Sequence, residues 1–474
     1  MISSSTFRRV TRVGRLVMAA TLMAAATGAA TLGAPKAHAG AAATPLNVVV
    51  ILTDDQVEGT MDAMPITRSL IRDRGTTLTN GIIPTSTCCP SRTALLTGQY
   101  SHTTGVYRNV GPHGGWPVFQ AGGSEDHTIA VALHDQGYRT GLFGKYLNGF
   151  ALADPGYVPP GWDTFRTIYD PSGQPALAAG AYYNYVLRGS GSAESFGQLP
   201  ADYSTDVVAA EAVNFIDSTP ADQPLFLYFA PSGPHSPFVS APRHEDLWHR
   251  EPVSAAVKRL TVNRPSFLPR EVVSASRISR KLRDQHQALM AVDEAVGQIV
   301  KALGSRSENT LFVYLSDNGL QMGEHGLVQK YAPYSGSTDV PMFLRWDGVI
   351  PAGSTYKGII TNADLSTTIA DATGVNLVNP DGTSYFAPTR PDGAALEATQ
   401  DRRHPAYCGW RTARHLYVSY ANGEQELYDY RRDPDELINQ ANQPDYATVQ
   451  AAMRREAVRA CSPTPPGFSW NPGP

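Results

Sequence analysis

Short apolar runs rich in β-branched residues alternate with amphipathic segments along most of this chain. The runs at 46–52 and 309–315 carry no charged side chain, which is typical of strands buried on both faces of a parallel sheet. Glycines such as Gly98 and Gly137 follow several segments that have helical spacing, as they do at helix ends. The alternation predicts an α/β sandwich with a large mixed, mainly parallel sheet. Strands are predicted at 46–52, 138–143, 224–229 and 309–315, and helices at 65–74, 91–97, 128–136, 205–218 and 277–303.

The chain changes character after about residue 375, where proline, aspartate and glycine become frequent. Two strand-like runs then flank Asn422-Gly423, and an Asn-Gly pair in that position is a strong signal for a β-hairpin. A helix is predicted after the hairpin, at 446–459. We therefore predict a main domain at 40–375 and a small antiparallel-sheet domain at 376–474 that packs on it.

The first residues have the pattern of a secretory signal peptide. Arginines precede an apolar stretch at 16–32, and Ala37-His38-Ala39 then offers a cleavage site. A membrane-anchoring helix is the alternative, but the stretch is short, rich in alanine and followed by that cleavage site. No later stretch is long and apolar enough to span a bilayer. We expect residues 1–39 to be removed and the mature protein to be secreted, without membrane contact after cleavage.

The four cysteines fall into two pairs. In an exported protein an even number of cysteines favours disulfides, and Cys408 and Cys461 are the predicted partners in the C-terminal region. Cys88 and Cys89 are adjacent in the chain, and a bridge between neighbours is strained. The adjacent pair is therefore expected to serve a purpose other than a disulfide.

Polar side chains follow three of the predicted strands at the point where each strand ends. Asp54 and Asp55 come after the first strand, Asp317 and Asn318 after the last, and His235 lies beyond the third. Because ligands bind at the carboxyl ends of parallel strands, we expect these groups at one edge of the sheet. Close carboxylates repel one another unless a cation neutralises them, and oxygen donors favour Ca²⁺ or Mg²⁺ over zinc. We predict a metal site with Asp54, Asp55, Asp317 and Asn318; the alternative is that the aspartates only cap a helix or a turn.

The most specific segment of the chain is Cys88-Cys89-Pro90-Ser91-Arg92, which continues to Leu95-Leu96-Thr97-Gly98. It resembles the signature of the sulfatase family, C-x-P-S-R followed by x-x-L-L-T-G. In that family the cysteine is oxidised to formylglycine, which implies a formylglycine-generating enzyme as a partner. By the spacing, the modified residue is Cys88, whereas Cys89 is expected to remain a buried free thiol.

The resemblance continues over nearly the whole mature chain. Lys145 lies in a Gly-Lys-Tyr-Leu-Asn segment, His235 in Pro-His-Ser-Pro, and Lys330 in Gln-Lys-Tyr. Asp54-Asp55 and Ser316-Asp317-Asn318-Gly319 are similar to the family's two metal-binding segments. The resemblance implies an alkaline-phosphatase-like sandwich with a small C-terminal antiparallel sheet. It also implies that the main domain is catalytic and hydrolyses sulfate esters with bound Ca²⁺, or with Mg²⁺ as the alternative.

The resemblance also implies a role for each matching side chain. Hydrated formylglycine carries two hydroxyls on one carbon, and binding one of them to Ca²⁺ makes residue 88 a metal ligand and lowers the pKa of that hydroxyl. The hydroxyl attacks sulfur and expels the alcohol, and the second hydroxyl then loses its proton so that sulfate leaves. Arg92, one helical turn after Cys88, is expected to hold the formylglycine and the metal-site carboxylates. Lys145 and Lys330 would stabilise charge on the sulfuryl oxygens, and His235 would protonate the leaving oxygen.

The chain departs from the family pattern at one position. Many members carry a histidine two or three residues after the first lysine, assigned as the base that releases the sulfate, whereas this chain has Leu147 and Asn148. Asn148 can hydrogen-bond but cannot take a proton. His102 is the first candidate for the proton acceptor, with His113 and His127 behind it.

The signature and the Gly-Lys segment are similar to those of the N-acetylglucosamine-6-sulfatase branch, which implies a sulfated sugar or an aryl sulfate as the substrate. Asn148, His102 and His325 are the candidate substrate-binding residues, with a structural role as the alternative for His325. Two rival functions stay open: a phosphodiesterase or phosphonate monoester hydrolase of the same superfamily, and an inactive secreted protein that binds sulfated glycans. The 39 basic and 43 acidic residues lack the basic excess of a nucleic-acid-binding protein, so no nucleic acid partner is expected.

Overall fold

A computed structural model describes residues 45–169, 181–248 and 252–470 of the chain. The predicted signal peptide at 1–39 lies outside the described residues. Within them, the strands form a ten-stranded sheet and a separate four-stranded sheet. Among the helices of this part of the chain, each is too short or too polar to cross a membrane.

The large sheet is mixed, with a parallel centre. Its strands follow the order β10-β2-β9-β8-β1-β7-β3-β4-β5-β6, with β1 (Asn47–Thr53), β2 (Thr76–Ile82), β3 (Arg139–Gly144), β4 (Thr164–Tyr169), β5 (Val186–Gly189), β6 (Ser192–Ser195), β7 (Leu225–Ala230), β8 (Thr310–Ser316), β9 (Met342–Arg345) and β10 (Ser354–Thr361). The five neighbouring strands from β8 to β4 are all parallel. Antiparallel pairs join β9 to both of its neighbours and β5 to both of its own. The predicted α/β sandwich is therefore confirmed.

Both faces of the sheet are covered, which explains why its central strands are apolar throughout. Val48 and Val50 of β1 point into one core and Val49 and Ile51 into the other. The helices are α1 (Pro65–Thr67), α2 (Cys88–Thr97), α3 (Ser101–Thr104), α4 (Gly115–Ala121), α5 (Ile129–Asp135), α6 (Ser204–Asp217), α7 (Ala275–Leu303), α8 (Ser335–Thr338), α9 (Asn362–Thr373) and α10 (Ala447–Ala460). Helices α2, α5 and α9 fill the first core, and α6 and α7 fill the second.

The observed start of α2 corrects one predicted boundary. The sequence predicts a helix from Ser91, whereas α2 begins at Cys88, after the extended residue Thr87, and ends before Gly98 at φ 73°. Pro90 is tolerated because the first turn of a helix needs no backbone N–H donor. The earlier start places Cys88 itself at the N-terminus of the helix. The residue that resembles the family's modified cysteine is thereby fixed by regular structure.

The small sheet packs against the loop that carries Lys330. It contains β11 (Gly393–Ala398), β12 (Tyr407–Thr412), β13 (His415–Tyr420) and β14 (Gln425–Asp429), all antiparallel, and the predicted Asn-Gly hairpin joins the last two strands. Residues of this sheet share one hydrophobic cluster with Tyr331 and Tyr334. Cys408 and Cys461 form a disulfide that ties β12 to the end of α10. The antiparallel sheet is confirmed, and the domain boundary at residue 375 stays a prediction.

Candidate active site

The candidate site lies at the carboxyl ends of four neighbouring parallel strands. Asp54 follows β1, Asp317 follows β8 and Lys145 follows β3, while His235 lies in the loop after β7. Backbone hydrogen bonds hold these loops together: the Asp54 N–H donates to the Gly233 carbonyl (3.2 Å) and the Asp317 N–H to the Thr53 carbonyl (3.0 Å). The segments predicted to meet at one edge of the sheet therefore do so.

A glycine allows Lys145 to enter the site. Gly144 has φ 114°, and a Cβ at this position would lie 1.9 Å from the carbonyl oxygen of Ala230 at the end of β7. Any other side chain would therefore separate the two strand ends. The close approach lets the backbone N–H of Lys145 donate to the same carbonyl at 2.7 Å. The Gly-Lys order of the sequence thus has a steric cause.

Three buried carboxylates, Asp54, Asp55 and Asp317, form what we call the acidic cluster. Their relative exposures are 0%, 3% and 0%. Each of the three carboxylates contacts one lysine or arginine side chain. Lys145 Nζ contacts Asp54 Oδ2, Arg92 Nε donates to Asp317 Oδ2 at 2.8 Å, and Lys330 Nζ donates to Asp55 Oδ1 at 2.5 Å.

These contacts favour the ionised forms of Asp54 and Asp55. Burial by itself would raise the pKa of Asp54, but Lys145, His235 and Arg92 outweigh it, so that this pKa lies below its usual value. At Asp55, Lys330 and His235 outweigh burial in the same way, so that the pKa of Asp55 also lies below its usual value. Burial opposes the charge of Lys330 as well, but the surrounding acids hold its pKa above the usual value. The site is therefore a network of charged side chains whose three carboxylates are buried.

Cys88 lies in the middle of this network. Its Sγ accepts a hydrogen bond from Lys330 Nζ at 2.8 Å and lies 3.7 Å from Asp54 Oδ1. Burial raises the pKa of the Cys88 thiol to about 11, although both lysines act to lower it. The neighbouring Cys89 is also buried, and its backbone N–H donates to Asn109 Oδ1 at 2.8 Å. The sulfur that reaches the acidic cluster is that of Cys88.

His235 contacts the acidic cluster at Asp55. Its Nδ1 lies 2.6 Å from the Ser236 carbonyl oxygen, and because a carbonyl can only accept, Nδ1 carries the proton of this hydrogen bond. Its Nε2 is then directed at Asp55 Oδ2, 3.4 Å away. Tyr182 fixes the loop by donating from its hydroxyl to the His235 carbonyl at 2.7 Å. The ring is thus oriented with one nitrogen facing the site.

The donor atoms fit a divalent cation. One ligand atom from each of Asp54, Asp55, Cys88 and His235 can be chosen so that all four lie within 4.8 Å of one another. Asn318 adds a further oxygen, since its Oδ1 is buried and has no hydrogen-bond partner among the described residues. Its amide Nδ2 donates to Asp55 Oδ1 at 2.7 Å, so the side chain is held at the edge of the acidic cluster. An unpartnered buried oxygen beside carboxylates is what a cation site requires.

Two candidate substrate-binding histidines lie outside the acidic cluster. His102 Nδ1 lies 3.1 Å from both carboxylate oxygens of Glu397 on β11, because α3 turns toward the small sheet. His325 is buried, stacks on Tyr334 with ring centroids 3.8 Å apart, and hydrogen-bonds Thr261 Oγ1 at 2.8 Å. In the part of the chain that the structure describes, neither ring contacts the three carboxylates. The geometry favours structural roles for both.

The remaining candidates near the first lysine differ in burial. Asn148 is buried close to Lys145; its carbonyl accepts from the Trp116 N–H at 2.7 Å, and its side-chain Oδ1 has no hydrogen-bond partner among the described residues. His113 and His127, the reserve candidates for the proton acceptor, are exposed at the surface. The structure thus brings Asn148, but neither of these histidines, into the protein interior beside the site.

One supporting residue was not predicted from the sequence. Gln285 on α7 donates from Nε2 to the Asp55 carbonyl at 3.0 Å and accepts from the Val57 N–H at 3.1 Å. It holds the loop after β1 in a conformation where Asp55 has φ 62°, which L-residues seldom adopt. The buried residues of α7 include other polar side chains, such as Gln287 and Asp293, so the sequence does not single out Gln285.

Comparison with curated proteins yields a consistent set of relatives. The family model described as "Sulfatase" matches residues 46–375. The chain is 32% identical over 364 residues to N-acetylglucosamine-6-sulfatase of Capra hircus, covering 72% of this chain and 63% of the relative. It is 32% identical over 351 residues to an extracellular sulfatase SULF-1 homologue of Drosophila melanogaster, covering 69% of this chain and 30% of the relative. The chain thus spans less than two thirds of the length of these relatives.

Solved structures share the fold at lower identity. BT4656, solved in complex with its substrate D-glucosamine-2-N,6-O-disulfate, superposes with a TM-score of 0.73 at 21% identity, covering 88% of this chain and 98% of that chain. A phosphonate monoester hydrolase of Agrobacterium radiobacter superposes with a TM-score of 0.67 at 21% identity, covering 88% and 96%. Since enzymes of two reaction classes share this fold, function has to be argued from the site.

Proposed function

The chain belongs to the sulfatase family, and we propose that it is a secreted enzyme that hydrolyses the sulfate ester of a sugar with a formylglycine made from Cys88. One observation carries the proposal. The only atom of the signature helix that contacts both a carboxylate and a lysine of the site, among the described residues, is Cys88 Sγ. A reactive group at this position would meet an anionic substrate beside Lys145 and Lys330.

The unmodified thiol is poorly suited to attack an anionic ester. With a pKa of about 11 it is neutral at physiological pH, and the thiolate is the nucleophilic form. Formylglycine at this position supplies, as its hydrate, an oxygen nucleophile and a second hydroxyl that lets the sulfated residue release sulfate without a further water. Because Cys88 is 1% exposed in the folded chain, a formylglycine-generating enzyme has to act before folding is complete.

We assign the cation site to Asp54, Asp55, Asp317, Asn318 and residue 88. With an unmodified Cys88, the nearby donors are two carboxylates, a thiol and an imidazole, a set that would suit zinc. Formylglycine replaces the sulfur of residue 88 by oxygen, and the resulting oxygen-rich set suits Ca²⁺. When bound, Ca²⁺ lowers the pKa of a hydroxyl on residue 88 and offsets the negative charge of the ester. The modification and the choice of ion are therefore linked.

Arg92 has a structural role in the site, whereas Lys145 and Lys330 act on the substrate. Arg92 is fully buried, donates to Asp317 and to the Lys145 carbonyl at 2.8 Å each, and so holds two segments of the site together. Lys145 and Lys330 end in ammonium groups that can turn from the carboxylates to the sulfuryl oxygens. There they stabilise the negative charge that grows on those oxygens as the ester bond breaks.

His235 is the proposed general acid. Its Nδ1 is committed to the Ser236 carbonyl, so Nε2 is the nitrogen that can carry a transferable proton toward the site. This nitrogen lies 3.4 Å from Asp55 Oδ2. The side chain is 17% exposed, which leaves it accessible to the leaving oxygen of a bound ester.

We propose a sulfated amino sugar as the substrate. The goat relative is named for action on N-acetylglucosamine 6-sulfate groups, and the solved neighbour was crystallised with a disulfated glucosamine. Secretion is supported by the predicted signal peptide, by the Cys408–Cys461 disulfide, which persists in oxidising compartments, and by the extracellular fly relative.

The test of this function compares sulfate esters with phosphate diesters on protein co-expressed with a formylglycine-generating enzyme. Mass spectrometry of the peptide that contains Cys88 first establishes loss of sulfur and gain of the aldehyde oxygen. We expect kcat/KM for 4-nitrophenyl sulfate and for N-acetylglucosamine 6-sulfate to exceed that for bis-4-nitrophenyl phosphate. A large preference for the diester would instead identify a phosphodiesterase or phosphonate monoester hydrolase.

Removal of the metal is expected to abolish activity and lower stability. Chelation with EDTA should reduce kcat by at least about 100-fold, because several kcal/mol of charge stabilisation are lost in the transition state. Ca²⁺ should restore the rate better than Zn²⁺ in protein that carries formylglycine. Titrating both ions into chelated enzyme, with sulfate release and Tm as readouts, checks the assignment, and a preference for Zn²⁺ contradicts it.

The variant His235→Ala should be sensitive to the leaving group. For an alkyl sulfate, whose alkoxide is a poor leaving group, we expect kcat to fall by about 10²–10⁴-fold, the usual contribution of a general acid. For 4-nitrophenyl sulfate, whose phenolate leaves without a proton, the loss should stay below about tenfold. An equal loss on the two substrates would remove His235 from this role.

A further inference from the structure

A cleft with several charged side chains in its lining opens next to the segment that carries Cys88. It has a volume of about 210 Å³, and its lining includes Thr87, Arg108, Asn109, Lys330, Asp401 and Arg403. Thr87 precedes Cys88 in the chain, and Lys330 Nζ lies 2.8 Å from Cys88 Sγ. Asn109 Oδ1 accepts a hydrogen bond from the backbone N–H of Cys89. The cleft therefore shares Lys330 with the candidate site, and a molecule held at residue 88 can extend into it.

The cleft carries more positive than negative charge. Arg108 and Arg403 both line it, and neither guanidinium forms an ion pair with a carboxylate in the described residues. The acidic residue of the lining is Asp401. Its Oδ1 accepts a hydrogen bond from the backbone N–H of Arg403 at 2.5 Å and lies 3.9 Å from His404 Nε2. Arg108 is half-buried, and its Nη1 donates to the Gln400 carbonyl at 2.8 Å, which leaves the rest of the fork for a ligand.

The segment that carries Arg108 is held in a fixed shape. The Arg108 N–H donates to the His113 carbonyl at 3.0 Å, and its own carbonyl accepts from the Gly115 N–H at 2.9 Å. A Cβ on Gly114 would lie 2.4 Å from the Arg108 carbonyl oxygen, so this turn depends on glycine. A guanidinium mounted on such a turn is preorganised, which reduces the entropy lost when it binds an anion.

We propose that Arg108 and Arg403 bind a second oxyanion of the substrate, a sulfate or a carboxylate, on the sulfated sugar itself or on the adjoining one. The inference rests on the proposed function, because it assumes that a sulfate ester is bound at residue 88. The planar guanidinium fork matches the geometry of both oxyanions. Sites for drug-sized ligands have volumes of about 300–1,000 Å³. The cleft is smaller than these sites, and its volume suits one sugar-sized unit.

The experiment measures kcat/KM for sulfate release by protein that carries formylglycine. The probes are 4-nitrophenyl sulfate and N-acetylglucosamine 6-sulfate, which lack a second oxyanion, glucosamine 2-N,6-O-disulfate, and a disaccharide of a uronate and 6-sulfated N-acetylglucosamine. The variants are Arg108→Met, Arg403→Met and the double variant. Arg402→Met is the matched control, since Arg402 is an exposed neighbour that does not line the cleft.

We expect wild-type enzyme to prefer the disulfate or the uronate disaccharide, and each cleft variant to lose about tenfold or more on the preferred probe. Turnover of 4-nitrophenyl sulfate should change less than about threefold, which also reports that the variants fold. A preference for the disulfate places the second oxyanion on the same sugar, and a preference for the disaccharide places it on the adjoining one.

Three outcomes overturn the inference. They are an equal loss on all probes, no loss in the double variant, and a wild-type enzyme that hydrolyses all four probes without preferring a second oxyanion. In each of these cases the enzyme still releases sulfate, so the proposed function stands. An enzyme with verified formylglycine and bound Ca²⁺ that releases no sulfate from any probe overturns both proposals.

Discussion

The variant Cys88→Ala is expected to lose at least about 10⁴-fold in kcat for sulfate release, the scale seen when the nucleophile of a covalent mechanism is removed. Alanine cannot be converted to formylglycine, and it removes the only group of α2 that touches both Lys330 and Asp54 among the described residues. The backbone of the helix and the contacts of Arg92 do not depend on this side chain. The free energy of unfolding should therefore change by no more than about 2 kcal/mol.

Cys89→Ala is the matched control for this prediction. Cys89 is equally buried and is adjacent in the chain, but its side chain packs in the hydrophobic core that α2 shares with β1. We expect its activity to stay within about threefold of wild type and its stability to fall slightly. Sulfate release and urea unfolding of both variants check the pair. Turnover by Cys88→Ala near the wild-type rate would remove residue 88 from the mechanism.

The variant Arg92→Met should lose both activity and stability. It leaves Asp317 and Asp54 buried without the guanidinium that now lies 2.8 Å and 3.4 Å from them, respectively. Removing one partner of a buried ion pair costs about 3–5 kcal/mol, because the remaining charge stays desolvated. The loss should be largest in EDTA and smaller in excess Ca²⁺, since a bound cation replaces part of the missing positive charge. Urea unfolding under both conditions measures the effect.

Arg345→Met is the control that distinguishes the loss of a buried ion pair from an effect on the cation site. Arg345, the last residue of β9, is also fully buried, and it pairs with both oxygens of Asp347 at 2.8 and 2.9 Å, outside the acidic cluster. We expect this variant to lose stability equally with and without Ca²⁺ and to keep its kcat. An Arg92→Met protein whose loss of stability is independent of Ca²⁺ would contradict the proposed position of Arg92 at the cation site.

The central strands and main helices of the fold could be predicted because both faces of the sheet are buried. A run such as 46–52 has no polar alternation, and at this length an uninterrupted apolar run is typical of a strand covered on both sides. The strands β5 and β6 could not be predicted in the same way. They lie at an edge, are only four residues long, and β6 is fully exposed, so burial leaves no pattern in their sequence.

The candidate site was predictable where a residue directly follows a buried strand. Asp54 and Asp317 are of this kind, since the end of a strand fixes where the next side chain lies. His102 and His325 show the limit. Both were candidate substrate-binding residues, but α3 directs one toward Glu397, and the loop before Lys330 buries the other against Tyr334. The direction in which a loop side chain points depends on tertiary contacts that a local motif does not encode.

The pairing of the three carboxylates of the acidic cluster with one arginine and two lysines has a thermodynamic consequence. Because these six charges already balance, a divalent ion that enters adds an excess of positive charge, and an anion that follows reduces that excess. Occupancy by either ion therefore raises the affinity for the other by the same factor, as linkage requires. Inorganic sulfate, the product, should raise the affinity for calcium by the same factor by which calcium raises the affinity for sulfate. Conditions under which sulfate inhibits the enzyme should therefore also slow the loss of calcium.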